Sequence, residues 1–231
     1  MTEKEKIIIR EAKATDAEFI ATAIIESEKS NTDRLGVANC FEITEEEYRG
    51  YVKQMLEEEV EGCELSLTSF LVVEIRGEVV AASAGWKECD NEDGMPSALI
   101  KSNLYHYFLP KEKLILGAQK SEMVKGIQIE REAGAYQLES SYTKAEYRGR
   151  HLRRMLEEAH FERAREKGAK KVQTHVYGNN ESSIRGCQNN GFAIVRRYVS
   201  TNPQTKRLYP DDTMVLMERK LKIENLKFKK N

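Results

Sequence analysis

The sequence predicts a mixed α/β fold in which a largely antiparallel, twisted sheet carries helices on both faces. Two observations indicate this fold: β-rich runs flank the turn residues Arg76-Gly77, and strands alternate with helices between residues 135 and 220. A length of 231 residues, of which 40% are apolar, suits one domain with surplus chain. We therefore expect a single domain over residues 1–231, with a helical insertion at 87–134 and a basic tail at 221–231.

The first part of the chain predicts a strand, two amphipathic helices and a hairpin. The isoleucines at 7–9 favour a strand, and Thr15-x-x-Glu18 has the pattern of a capping box that opens a helix. Thr44-x-x-Glu47 repeats that pattern before a second apolar stripe, and residues 31–39 between the helices are polar and loop-like. Gly77 supplies the positive φ that a tight hairpin turn needs.

The second part of the chain predicts an insertion and then alternating elements. Residues 98–109 and 113–129 favour helices, broken by Pro110 and Gly117. The expected strands are 135–143, 171–177, 192–200 and 213–220, and the expected helices are 149–167 and 180–190. A helix that connects two neighbouring strands makes them parallel, so we expect the sheet to split beside the parallel pair 135–143 and 171–177.

Composition excludes several classes of protein. The chain has 37 Lys+Arg against 38 Asp+Glu, which argues against a protein that wraps nucleic acid. Neither a signal-peptide pattern nor an apolar run of about 20 residues is present, so we expect a cytoplasmic protein without a membrane partner. The four scattered cysteines and four histidines show no metal-ligand spacing, and we predict no metal.

The segment 141–156 is the most informative part of the sequence. It predicts a strand, a turn and the start of a helix, and it carries four arginines: Arg148, Arg150, Arg153 and Arg154. Backbone amides at such a junction and the positive end of the helix dipole attract anions, and guanidinium groups bind phosphate oxygens. The segment therefore predicts a site for a ligand with more than one phosphate.

Two motifs resemble those of the GNAT superfamily of N-acetyltransferases. Tyr147-Arg-Gly-Arg-His-Leu-Arg-Arg-Met-Leu156 is similar to the family's pyrophosphate loop, and the segment from Asn180 to Phe192 is similar to its Asn-containing helix motif. The order and spacing of the motifs also match. The chain departs from the pattern at His151 and Arg153, where the family places small residues, and at Cys187, where it commonly has tyrosine.

The resemblance implies the GNAT acyl-CoA N-acyltransferase fold and acetyl transfer from acetyl-CoA to a primary amine of a small molecule or peptide. Strand alternation places Glu139 on one face with Gln137 and Ser141, opposite Leu138, Ser140 and Tyr142, which makes Glu139 our candidate general base. Cys187 is the candidate acid for the CoA thiolate, with Tyr142 and Tyr177 as alternatives. The implied cofactor-binding residues are Ser141, Tyr142, Thr143, Arg148, Gly149, Arg150, His151, Leu152, Arg153, Arg154, Asn180 and Ser183.

Several alternatives stay open from sequence alone. Glu139 also suits an exposed cross-strand pair, Cys187 a buried apolar position, and Asn180 a helix cap. A non-catalytic, CoA-binding regulatory module is the main rival function, and a nucleic-acid-binding domain is a weaker one. Aromatic residues at 105–108 suit a substrate wall, core packing or the contact of a homodimer. The resemblance places acceptor specificity in the variable segments 36–64 and 87–134.

Overall fold

The structure is a computed structural model that describes residues 5–58 and 60–222, so most of the predicted basic tail lies outside the described residues. Its described part forms one seven-stranded sheet in the order β1-β2-β3-β4-β5-β7-β6. The strands are β1 (Ile7–Glu11), β2 (Phe70–Ile75), β3 (Glu78–Lys87), β4 (Tyr136–Thr143), β5 (Lys171–Tyr177), β6 (Ala193–Val199) and β7 (Thr213–Lys220). The β4–β5 pair is parallel, and the other neighbours are antiparallel, which confirms the predicted mixed sheet.

The sheet splits between β4 and β5, as the sequence predicts. These strands pair at Tyr136 with Val172 and at Gln137 with Gln173, and the ladder then ends. Beyond Gln137 the two strands diverge towards their C-terminal ends, and the space between them opens the interior of the domain.

A bulge in β4 changes the predicted alternation of side chains. Ala84 pairs with Glu139 and Ala82 pairs with Tyr142, so β4 contains one extra residue at this point, and Ser140 has a positive φ of 51°. Leu138 packs in the core beneath the sheet, whereas Tyr142 packs on the opposite face against the ring of Phe19, at 5.8 Å. The expectation that Tyr142 shares a face with Leu138 is therefore wrong, because the bulge shifts the period of two by one residue.

Eight helices surround the sheet in the described part of the chain. They are α1 (Ala17–Lys29), α2 (Gly36–Phe41), α3 (Glu45–Glu57), α4 (Ser97–Phe108), α5 (Lys111–Val124), α6 (Leu152–Glu166), α7 (Glu181–Asn189) and α8 (Thr205–Leu208). Helices α1 and α3 bury their apolar stripes on one face of the sheet, and α6 covers the other. Within these residues no helix is both long and apolar enough to span a bilayer.

Of the two capping boxes predicted from sequence, one is confirmed and the other is wrong. Thr44 caps α3 as expected, since its hydroxyl accepts from the Glu47 amide and the Glu47 carboxylate accepts from the Thr44 amide. The Thr15-x-x-Glu18 box does not form; instead the Lys13 amide donates to Asp16 Oδ2 at 2.8 Å, and a short 3₁₀ turn leads into α1. The segment 31–39 is also less irregular than expected, because α2 begins at its end.

The insertion lies between β3 and β4 and is helical, as predicted. Pro110 separates α4 from α5, but Gly117 lies inside α5 and does not break it. A Cβ at position 117 would approach a ring carbon of Phe41 to 2.3 Å, so glycine allows the helix to contact this ring. The insertion thereby packs its second helix on α2 and places its final residues beside the split in the sheet.

Candidate active site

The N-terminus of α6 follows directly from β4 through a turn that contains two residues with positive φ. Gly149 has φ of 77°, and His151, the N-cap residue, has φ of 59°. No side chain of the described residues caps this helix, so the amides of its first turn keep free donors. His151 thus adopts the left-handed conformation that glycine would adopt more easily, and the turn keeps the shape of an anion-binding loop.

A surface groove of about 710 Å³ opens at this helix end. We call it the arginine groove, because Arg148, Arg153 and Arg154 line it. It is also lined by the other predicted cofactor-binding residues except one: Ser141, Tyr142, Thr143, Gly149, His151, Leu152, Asn180 and Ser183. The two sequence motifs, separated by about a helix and a strand, therefore meet on one surface.

Arg150 is the exception. Its guanidinium forms an ion pair with Glu5 and lies 5.5 Å from the centroid of the Tyr147 ring. It does not line the arginine groove. The ion pair with Glu5 therefore holds Arg150 away from the groove that the other predicted residues line.

Arg153 links the two motifs. Its guanidinium donates to Glu157 Oε1 at 2.8 Å, to Cys187 Sγ at 3.0 Å and to Ser183 Oγ at 3.4 Å. These contacts turn the side chain away from the backbone of the loop and towards α7. Although arginine is larger than the small residue expected at this position, its side chain therefore does not cover the amides at the start of α6.

Asn180 caps α7 and reaches α1 as well. Its Oδ1 accepts from the Ser183 amide at 3.1 Å, and its Nδ2 donates to Ser30 Oγ at 3.0 Å. The cap predicted from sequence is confirmed. Asn180 and Ser183 line both the arginine groove and a second cavity.

The second cavity, which we call the inner cavity, has a volume of about 310 Å³ and lies at the split between β4 and β5. Residues from α1, the insertion, β4 and β5 meet there. It shares lining residues with the arginine groove, namely Ser27, Ser30, Ser141, Arg153, Asn180 and Ser183. The two cavities therefore adjoin where the sheet opens.

Glu139 faces the inner cavity, but its carboxylate is already engaged. Oε1 accepts from Arg131 Nη2 at 2.6 Å and Nε at 2.9 Å, and it lies 3.0 Å from His175 Nδ1. Burial acts to raise the pKa of Glu139, but the Arg131 guanidinium and the His175 hydrogen bond outweigh it and hold this pKa well below its usual range. A carboxylate in this state is a weak proton acceptor, which disfavours Glu139 as the general base.

His175 is a second candidate base. The ionised Glu139 can only accept, so Nδ1 of a neutral His175 carries the proton and Nε2 has a free lone pair. The His175 side chain is 8% exposed, and its Nε2 is buried without a hydrogen-bond partner among the described residues. Glu139 and His175 therefore form a hydrogen-bonded dyad, and both residues line the inner cavity.

Two further carboxylates line the inner cavity. Glu64 Oε1 lies 2.5 Å from Lys101 Nζ, while its Oε2 has no partner in the described part of the chain. Glu28 Oε1 accepts from the Tyr48 hydroxyl at 2.8 Å, and its Oε2 likewise has none. Burial raises the pKa of Glu28 to about 7, against the smaller opposing effects of the Tyr48 hydrogen bond and Lys101.

The two candidate acids occupy different places. Tyr142 lines the arginine groove, beside the point where it meets the inner cavity. Cys187 is 1% exposed in the core beneath α6 and lines neither cavity, and burial raises the pKa of its thiol. The structure therefore does not bring Cys187 to the site, because α7 turns this residue inward. Tyr177, the other alternative, lines the inner cavity.

Five further acidic or basic residues of the inner cavity are not indicated by the sequence. They are Glu28, Glu64, Lys101, Arg131 and His175. Alternation along β5 places His175 on the face opposite Val172 and Val176, and the Gln137–Gln173 pairing then aligns it with Glu139. That register was the missing signal, since a sequence pattern does not specify which residues of two strands pair.

No family model matches the sequence, and no curated protein matches it. Solved structures do. An N-acetyltransferase from Staphylococcus aureus Mu50 aligns with a TM-score of 0.64 at 16% identity, covering 91% of this chain and 99% of its own. YncA from Salmonella typhimurium, solved with its cofactor acetyl-CoA, aligns with a TM-score of 0.53 at 15% identity, covering 94% of this chain and 95% of its own.

A ribosomal-protein-alanine N-acetyltransferase from Brucella melitensis gives a similar result, with a TM-score of 0.53, 16% identity, and 93% and 99% of the two chains covered. At such identities the likeness establishes the fold and leaves function to the site. The chain has the GNAT acyl-CoA N-acyltransferase fold, which confirms the expectation from sequence.

Proposed function

From this fold and its two adjoining cavities we propose that the protein transfers an acetyl group from acetyl-CoA to a primary amine in a direct ternary complex. One observation carries the proposal: an uncapped helix end with three arginines opens into a groove that adjoins a buried cavity with an unpartnered imidazole nitrogen. Such a groove suits a ligand with phosphates, and such a nitrogen suits an ammonium that must lose a proton.

The arginine groove fits acetyl-CoA chemically. The first-turn amides of α6 and the guanidinium groups of Arg148 and Arg154 would hold the pyrophosphate, and Asn180 would bond the pantetheine arm. Bound acetyl-CoA supplies a thioester whose carbonyl accepts a nucleophile. The split between β4 and β5 gives the thioester end a route towards the inner cavity.

His175 and Glu139 divide the work of the base. His175 Nε2 takes one proton from the acceptor ammonium, and the amine nitrogen then forms a bond with the thioester carbonyl carbon as the carbon–sulfur bond breaks. Glu139 fixes the imidazole tautomer and stabilises its charged form. The Tyr142 hydroxyl is our candidate donor of a proton to the thiolate. The nitrogen loses its second proton to solvent, from which Tyr142 regains one, so that one proton ends on His175 and one on sulfur.

Thermal-shift titration followed by thiol release tests the proposal. Acetyl-CoA and CoA should each raise the melting temperature, whereas a short oligonucleotide should not, and a mixed amine panel should then release free thiol from acetyl-CoA. Absence of a shift with both CoA species would overturn the proposal. A shift without thiol release from any amine would favour a non-catalytic CoA-binding module instead.

A further inference from the structure

The inner cavity concentrates unsatisfied polar atoms. Six buried side-chain nitrogen or oxygen atoms lack a hydrogen-bond partner among the described residues, and half of them belong to residues of this one cavity: Glu28 Oε2, Glu64 Oε2 and His175 Nε2. Buried polar groups in proteins are nearly always paired, so such a cluster indicates an occupant that supplies the missing partners. An ionised Glu28 or Glu64 only accepts hydrogen bonds, and so does Nε2 of a neutral His175, so an occupant that pairs with these atoms must donate.

The charged residues that line the cavity indicate which kind of amine it can bind. Lys101 is paired with Glu64, Arg131 with Glu139, and Arg153 with Glu157. The cations are thus already neutralised, while Glu28 has only the Tyr48 hydroxyl as a partner. An acceptor with its own carboxylate would find no free guanidinium or ammonium here, whereas a second cationic group would find a free carboxylate.

Apolar side chains complete the wall between these polar atoms. They are Val37, Ile127, Ile129, Leu138, Val176 and Met214, from α2, the insertion, β4, β5 and β7. A short methylene chain suits such a surface, because burial of apolar methylene groups favours binding. The cavity therefore combines one proton acceptor, anionic anchors and an apolar wall.

We propose that the acceptor is a small alkyl diamine, whose reacting amine lies at His175 and whose second ammonium binds Glu28 and Glu64. The inference rests on the proposed acetyl transfer for its chemical outcome, but diamine binding itself does not need the acetyl donor. The second ammonium supplies the hydrogen bonds that the two carboxylates lack, and it leaves the reacting nitrogen free.

Three four-carbon amines with different ends test this inference: 1,4-diaminobutane, butylamine and 4-aminobutanoate. Calorimetry without acetyl-CoA measures binding, and thiol release with acetyl-CoA measures kcat/KM. We expect the diamine to bind and react about 10- to 100-fold better than butylamine, since a charge-assisted hydrogen bond contributes on this scale. The carboxylate-bearing amine should be the poorest of the three.

Glu28→Gln should remove most of the preference for the diamine over butylamine, while Glu18→Gln, an exposed position on the same helix, should keep it. Equal binding of butylamine and diamine to the unaltered protein would overturn the inference, whatever the variants do. Diamine binding that depends on Glu28 but is not followed by thiol release would contradict the proposed acetyl transfer and leave the assignment of the cavity standing.

Discussion

The arginine groove and the inner cavity adjoin, but they are built in different ways. About half of the residues that line the groove come from one continuous segment, in which β4, the turn at Gly149 and the start of α6 follow one another along the chain. The others come mainly from around the end of α1 and from α7 and its flanking residues. The inner cavity collects its charged side chains from α1, the loop after α3, α4, the end of the insertion and two strands. In the proposed function, donor binding therefore depends in good part on one local backbone segment, and acceptor binding depends on tertiary packing.

The largest effect that we predict is a loss of turnover when the Glu139–His175 dyad is changed, with binding in the arginine groove unaffected. His175→Ala should lower kcat by about 10²- to 10⁴-fold, because general base catalysis contributes on this scale. Binding of acetyl-CoA, measured by thermal shift, should not change, since His175 does not line the arginine groove. His106→Ala, at an exposed histidine of α4, is the matched control. Equal kcat values for the two variants would mean that His175 packs in the cavity wall and does not act as the base.

Glu28 should give the inner cavity a distinctive pH dependence of stability. Because burial raises its pKa from 4.5 to about 7, the folded state binds this proton more tightly than the unfolded state does. The free energy of unfolding therefore falls as pH rises from about 4.5 to 7, and the full penalty, roughly 3 kcal/mol, persists above pH 7. The groups that face Glu28 and modulate this penalty are Tyr48, Lys101, Glu64 and Glu139.

Denaturant unfolding at pH 5 and pH 8 measures this penalty. The stability of Glu28→Gln relative to the unaltered protein should increase between these pH values, whereas Glu18→Gln should show no such increase from burial of a carboxylate. A pH-independent difference for Glu28→Gln would mean that this carboxylate is solvated in the folded state.

In the arginine groove, we expect a smaller effect that is confined to the donor. Arg154→Ala should weaken binding of acetyl-CoA by about tenfold, since a hydrogen bond to a charged group contributes about 1.5–3 kcal/mol and part of this is screened at an exposed site. Arg150→Ala should leave the affinity unchanged, because Arg150 pairs with Glu5 outside the groove. Titration of each variant with acetyl-CoA at two salt concentrations distinguishes the two arginines. Equal losses of affinity in both variants would show that binding depends only on the net charge of the protein.

The smallest predicted effect concerns the backbone of the loop. His151→Gly should raise the free energy of unfolding by about 1 kcal/mol, because glycine adopts positive φ without steric cost. Gly149→Ala should lower it by a similar amount for the same reason. If His151→Gly instead destabilises the protein in chemical denaturation, the imidazole makes a stabilising contact that offsets the strain.

The contrast between the regions also explains how much the sequence could predict. The hairpin at Gly77, the parallel β4–β5 pair, the helical insertion and the Thr44 cap follow from local patterns. The predicted residues that line the groove, all but Arg150 of those named, follow from the family resemblance. The bulge at Ser140 and the register between β4 and β5 do not, because both depend on which strands pair. Glu139 is therefore predicted without its partners Arg131 and His175, and the structure adds His175 as a second candidate base.

The stoichiometry of the reaction is the most direct test of direct acetyl transfer from acetyl-CoA to an amine. Protein, acetyl-CoA and 1,4-diaminobutane are mixed, and free thiol, N-acetylated amine and the intact mass of the protein are measured together. For direct transfer we predict one N-acetylated amine for each thiol released, no acetylated protein when the amine is omitted, and loss of product in His175→Ala. Acetylated protein that accumulates without amine, or no product with any amine, would contradict direct transfer from the groove to the inner cavity.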